Sequence, residues 1–275
     1  MKKILIAAFC FITLTSSAQL KTPAPSSTQT IKQDFGLSSI ELTYSRPNMK
    51  GRKIFGDLVP YGKMWRTGAN AATRIKFADD VTVGGMPVKA GEYALYTIPN
   101  PEEWEIILNK GVKNGGLDGY KTEEDVIRFK VKPTTMPVPA ETFTMQFMNV
   151  GASATELNLR WDKTVVAIPI TTDIDTKIMG QINDLMNKDN RPYYQAAMYY
   201  SDNGKDFNQA IQWFDKAIEQ NPDGFWIYHQ KAKTLAKMGK KDEAKQVAQK
   251  SMDLAKEQKN DDYVVLNEKL LAGLK

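Results

Sequence analysis

The sequence predicts separate β and α regions: an N-terminal antiparallel β-sandwich or barrel, then α-helical repeats. Three observations carry this reading. From about residue 28 to residue 171 apolar residues recur every second position, the period of a half-buried strand. After Thr172 the period becomes that of a helix. The length of 275 residues suits about two domains at roughly 150 residues each. The expected division is a signal peptide at 1–18, a flexible lead-in at 19–27, an all-β domain at 28–172 and a helical repeat domain at 173–275.

Met1, Lys2 and Lys3 precede an apolar run from Ile4 to Leu14, then Thr15, Ser16, Ser17 and Ala18. A charged start, a short apolar run and small residues make an export signal, with cleavage expected after Ala18. The run is shorter than the about 20 residues that span a bilayer. An exported chain that does not span the membrane is expected, periplasmic or secreted. Cys10 follows Phe9 inside the run, which is not a lipoprotein cleavage point. It is the single cysteine, so the mature chain would contain no disulfide. Loss of Lys2 and Lys3 lowers the formal charge from +5 to +3. Residues 19–27 are rich in Pro, Ser and Thr, hence the flexible lead-in.

The strands follow. Ile75 and Phe77 alternate with Arg74 and Lys76. Ile127, Phe129 and Val131 alternate with Arg128, Lys130 and Lys132. Phe143, Met145 and Phe147 alternate with Thr142, Thr144 and Gln146, and Leu157, Leu159 and Trp161 with Glu156, Asn158 and Arg160. Turn signals stand at Asp79-Asp80, Gly84-Gly85, Pro99-Asn100-Pro101, Gly115-Gly116, Gly151 and Asp162-Lys163. About nine or ten short strands result, the pattern of an antiparallel sandwich or barrel. No long helical segment interrupts them, which argues against a parallel sheet.

Asp173 or Asp175 can cap the first helix, with Ile174, Ile178, Ile182 and Leu185 on one face. Beyond it, Ala210, Phe214, Ala217 and Pro222 are matched by Ala244, Ala248, Ser251 and Lys256, and Tyr194 by Tyr228. The offset is 34 residues. This resembles the tetratricopeptide repeat, a pair of antiparallel helices. The second unit matches less well, since Phe214 becomes Ala248 and the terminal proline is missing. Helices at 175–188 and about 261–274 are expected to cap the stack.

One β segment is distinctive: Ser45-Arg46-Pro47, Lys50-Gly51-Arg52, Ile54-Phe55-Gly56, Leu58-Val59-Pro60-Tyr61-Gly62 and Trp65-Arg66-Thr67-Gly68-Ala69-Asn70. Ala90-Gly91-Glu92-Tyr93 and Trp104-Glu105-Ile106-Ile107-Leu108-Asn109 follow. Together these resemble an exported bacterial family, domain of unknown function 2911, over roughly residues 28–170. The resemblance implies an exported, mostly β domain, often followed by tetratricopeptide-like helices. It implies no activity and no catalytic residue.

Between residues 46 and 76 stand Arg46, Lys50, Arg52, Lys53, Lys63, Arg66, Arg74 and Lys76 against Asp57 alone. A concentrated basic stretch can attract an anion even on a nearly neutral molecule. The candidate ligand-binding residues are Arg46, Lys53, Trp65, Arg66 and Asn70. Arg grips carboxylate, sulfate or phosphate with paired hydrogen bonds, and Trp can stack on a sugar ring. The other reading is structural: Arg66 and Asn70 satisfy carbonyls of a packed loop, and Trp65 plugs the core.

Catalytic motifs are lacking. The single histidine, His229, has no partners for zinc. The acid pairs Asp79-Asp80, Glu102-Glu103 and Glu123-Glu124-Asp125 fall at turns or a helix start, not across a cleft. There is no nucleophile elbow, phosphate-binding loop or dinucleotide fingerprint. Lys113-Asn114-Gly115-Gly116 is a turn too short to cradle a phosphate. No cofactor, metal or nucleic-acid partner is expected. The leading expectation is a non-enzymatic exported binding protein, with an anionic or sugar-like ligand on the β domain and a protein partner on the repeats. An envelope enzyme using Arg66 with an unidentified carboxylate, and a purely structural module, are the alternatives.

Overall fold

The computed structural model describes residues 22–274. The expected signal peptide, with Cys10, lies outside them. The chain divides into two compact units, with the boundary in sequence between Ile174 and Asp175. Among the described residues no helix is long and apolar enough to cross a membrane.

The first unit holds ten strands: β1 Ser27–Phe35, β2 Ser38–Arg46, β3 Thr73–Phe77, β4 Val81–Val83, β5 Met86–Val88, β6 Gly91–Ile98, β7 Trp104–Asn109, β8 Asp125–Val131, β9 Thr134–Met148 and β10 Ala154–Thr171. One sheet runs β1-β2-β3-β6-β7-β8 and the other β5-β4-β10-β9. Every strand-to-strand pairing is antiparallel. Both sheets keep free edges, so the architecture is a sandwich rather than a barrel. One core fills the space between them. Leu42, Phe77, Leu95 and Ile106 enter it from the first sheet, and Phe143, Leu159, Trp161 and Ile168 from the second.

Period-two patterning shows most simply in β3, where Thr73, Ile75 and Phe77 are buried while Arg74 and Lys76 are exposed. β10 departs from it. The expected turn at Asp162-Lys163 does not form, because the strand runs on through it. The register against β9 shifts on both sides of Asp162, whose φ is +52°. A bulge inserts unpaired backbone and re-aims the side chains beyond it. Buried positions therefore change from Leu157, Leu159 and Trp161 to Val166, Ile168 and Ile170. An Asp-Lys pair reads as a turn in sequence, but long apolar runs on both sides keep the chain in one sheet.

β6 is buried on both faces. Tyr93 and Leu95 face the sandwich core, while Ala94 and Tyr96 join Ile107 and Ala72 in a second cluster with Met64 and Tyr120 packed against it. The residues that cover this outer face come from two irregular segments, 47–72 and 110–121.

The second unit holds α1 Asp175–Met186, α2 Tyr193–Asp202, α3 Phe207–Gln220, α4 Phe225–Lys237, α5 Lys241–Glu257 and α6 Asp261–Gly273. Ala210, Phe214 and Ala217 are buried on α3, and their counterparts Ala244, Ala248 and Ser251 on α5. Small side chains let the helices approach closely. α3 stops at Gln220, ahead of Pro222. Lys256 stands at the equivalent place, and α5 runs on to Glu257. α1 buries only Ile182 of its expected face, and Leu185 is exposed. Asp175 accepts hydrogen bonds from Tyr199 Oη at 2.8 Å and Lys205 Nζ at 2.7 Å, which hold its pKa below the usual carboxylate value.

Candidate functional site

The segment from Pro47 to Ala72 contributes no strand to either sheet, yet it is closely fastened. Phe143 N–H donates to Pro47 O at 2.8 Å and Met49 N–H to Glu141 O at 2.8 Å. Trp65 and Thr97 exchange both backbone hydrogen bonds, at 2.7 and 3.0 Å. Thr97 lies just past Leu95, the last β6 residue paired with β3, so the loop takes over where β3 has not yet begun. Ile54, Phe55, Val59 and Trp65 sink into the sandwich core.

Trp65 sits among Phe55, Trp104, Phe143 and Trp161. Its ring centroid lies 6.1 Å from that of Phe55, 6.3 Å from Trp104, 5.0 Å from Phe143 and 5.9 Å from Trp161. Its Nε1–H donates to Gly68 O at 3.0 Å. It is only 8% exposed, so it offers no open ring face for a sugar. The stacking role expected of Trp65 gives way to that of a core plug whose edge floors a groove.

After Trp65 the backbone is strained. Thr67 and Asn70 have φ of +54° and +60°, and Gly68 has +152°. A β-branched residue at positive φ is a genuine outlier, with a cost of about 1–3 kcal/mol. Thr67 is fully buried, bonded through Oγ1 to Thr97 Oγ1 at 3.1 Å, and its carbonyl accepts from Thr73 Oγ1. Gly68 passes so close to β2 that a Cβ there would lie 2.9 Å from Ser45 O. Only glycine fits that approach.

This strained turn walls a groove of about 560 Å³. Lys50, Arg52 and Arg66 supply its cations, Asn48 and Asn70 its amides, and Trp65 and Trp161 its floor. Pro25 and Ser26 close one side, and Asn70 Nδ2 donates to Ser26 O at 3.3 Å and Ser45 Oγ at 3.2 Å. Its lining contains no Asp or Glu. Among the described residues no ion pair involves Lys50, Arg52 or Arg66. Arg52 donates to Met49 O at 2.9 Å and Asn48 O at 2.6 Å, and Arg66 to Asn70 O at 2.8 Å. A guanidinium has five donors, so both retain capacity for an incoming anion.

Of the five sequence candidates, Trp65, Arg66 and Asn70 line this groove. Arg46 and Lys53 do not. Arg46 donates to Phe143 O at 3.3 Å and Thr144 Oγ1 at 2.9 Å, tying β2 to β9. Lys53 is exposed away from the lining. The basic stretch is thus dispersed. Arg74 pairs with Glu92 at 3.4 Å, and Lys76 stands between Glu41 and Glu92 on neighbouring strands. Lys50 and Arg52 escaped the candidate set, although the Lys50-Gly51 turn, with φ of +48° and +72°, is what folds them over the groove.

Elsewhere, His229 is buried and its Nδ1 lies 2.8 Å from Asn267 Oδ1. Asn267 Nδ2 donates to Ser251 Oγ at 2.9 Å, and Ser251 donates to Phe225 O at 2.7 Å. This relay joins α4, α5 and α6 and fills His229's role with packing. Burial is the main cause that lowers its pKa. Among the described residues no cluster of three or more His, Cys, Asp or Glu could hold a metal ion.

A family model described as Protein of unknown function (DUF2911) matches residues 26–170, just over half of the chain. The chain belongs to the DUF2911 family. Tetratricopeptide repeat models match residues 191–223 and 213–246. No curated protein sequence matches the chain. The DUF2911 match takes in every groove residue except Pro25. The repeat matches cover α2 to α4 and the start of α5, and such repeats present extended surfaces that suit protein partners.

Proposed function

We propose that this protein is an exported binding protein, and that its DUF2911 domain holds a small anionic ligand in the groove built by Lys50, Arg52, Arg66 and Asn70. The tetratricopeptide repeats bind a protein partner. One observation carries the ligand reading: Lys50, Arg52 and Arg66 line one concave site whose lining contains no Asp or Glu, although Glu141 Oε1 stands beside it and accepts from Lys50 N–H at 2.8 Å. Elsewhere some surface cations are offset by acids, as Lys130 is by Glu103 and Lys89 by Asp80. The volume lies in the range of small-molecule sites, about 300–1,000 Å³. Backbone strain at Thr67 is the second support, because strain persists where the surrounding structure over-determines it. An enzyme would need an acid or base within reach of the ligand. The carboxylate beside the groove, Glu141, already accepts from Lys50 N–H at 2.8 Å, an arrangement that fits holding Lys50 in place.

The test is a thermal-shift series on the mature chain, residues 19–275, with inorganic phosphate, sulfate, citrate and glucuronate. A ligand that binds only the folded state raises Tm by mass action. The wild type and Lys53→Ala are expected to shift with at least one anion, and Arg66→Ala to lose that shift. Equal shifts in all three proteins, or none in any, would overturn the ligand reading.

A further inference from the structure

We propose that Gly116 is the positioning residue for Arg66, and that the turn at residues 111–119 is built to hold that guanidinium rather than a ligand of its own. The functional meaning of this rests on the anion-binding reading above. The geometry stands independently of it.

Gly116 is buried and has φ of +123°. A Cβ there would lie 2.7 Å from Arg66 Nη1, 3.3 Å from its Cζ and 3.6 Å from Asn70 O. The Arg66 guanidinium therefore packs on bare backbone. Asn70 O accepts from Nη1 at 2.8 Å, so the same nitrogen is held by a hydrogen bond and covered by the turn. The turn is in turn fixed from below. Tyr96 Oη, buried on β6, donates to Gly116 O at 3.1 Å and accepts from Asn114 Nδ2 at 3.1 Å. Ala72 N–H donates to Asn114 O at 3.5 Å, which brings the turn back to the groove loop. A sheet residue, Tyr96, thus sets the height of a loop residue, Gly116, and that residue limits where Arg66 can lie.

An arginine held in this way has lost much of its rotamer freedom before an anion arrives. Pre-ordering removes an entropic cost that binding would otherwise carry. Gly115, the residue before it, is different: no atom lies within 4 Å of its Cβ position, and its φ is not positive. It serves as the internal control.

The experiment follows the Nε–Hε signal of Arg66 in 15N-labelled mature chain, assigned by its disappearance in Arg66→Lys. Gly116→Ala is expected to move or broaden that signal and to weaken titration by inorganic phosphate by roughly tenfold, the loss of about one charge-assisted hydrogen bond. Gly115→Ala is expected to change neither. Tyr96→Phe removes the hydroxyl that seats Gly116 and is expected to act in the same direction as Gly116→Ala. It decides the matter if Gly116→Ala does not fold. An Arg66 signal unmoved in Gly116→Ala, or in Tyr96→Phe where that variant decides, overturns the proposal. A signal that moves while the wild type ignores phosphate supports the positioning role and overturns the phosphate-binding reading instead.

Discussion

The groove loop and the helical repeats solve the same problem in opposite ways. Both must satisfy backbone polar groups while burying aromatic side chains. In the repeats, helices satisfy their own backbone, and buried polar side chains such as His229, Asn267 and Ser251 are left to bond one another. In the loop from Pro47 to Ala72 the backbone has no such internal ladder. It borrows partners from β6, β9 and its own arginines. The lesson is that an arginine which braces a carbonyl can still line a groove, because one guanidinium carries five donors. Arg66 spends one donor on Asn70 O and keeps others at the groove.

Substitutions can break or sharpen this contrast. Trp65→Ala is expected to have the largest effect, about 3–5 kcal/mol of lost stability in urea unfolding, because it empties the centre of a five-ring cluster. A loss under about 1 kcal/mol would mean that the loop is not part of the core. Asn267→Ala is expected to cost about 1–3 kcal/mol, since it leaves the His229 and Ser251 groups without their buried partner. The pH dependence of unfolding comes next. Burial holds His229 below its unfolded value of 6.5, so the folded state prefers the neutral ring. Its contribution is complete above pH 6.5 and is lost as pH falls through the lower folded value. His229→Gln should flatten that part of the profile, while a profile identical to wild type would remove His229 as its source.

Arg66→Ala is expected to cost only about 0.5–1.5 kcal/mol, the worth of one partly exposed hydrogen bond. A loss near that of Trp65→Ala would make Arg66 a structural brace first. Lys53→Ala should stay within about 0.5 kcal/mol of wild type, as an exposed lysine outside the groove.

Much of the fold was legible in the residues. Alternation at Ile75 and Phe77, or at Phe143, Met145 and Phe147, names its strands because one wet face leaves a two-residue period. The 34-residue offset from Ala210 to Ala244 names the helix pairs because close packing needs small side chains at the same place in each unit. The site was legible only in part. Trp65, Arg66 and Asn70 lie close in sequence, and a turn brings them together. Arg46 and Lys53 belong to the same basic stretch and point elsewhere, because charge counting along a chain carries no direction.

The sequence by itself determined what local physics determines: the change of period near Thr172, the helical repeat, and a long loop too apolar to float. Tertiary structure decided what depends on residues far apart. It decided that Asp162 bulges within β10 instead of turning, because strand pairing with β9 outweighs a local turn preference. It decided that Trp65 is buried among rings from three other segments. It decided that Gly116 lies over Arg66, fifty residues away in sequence, where only the packing of two loops on one face of β6 could bring them into contact.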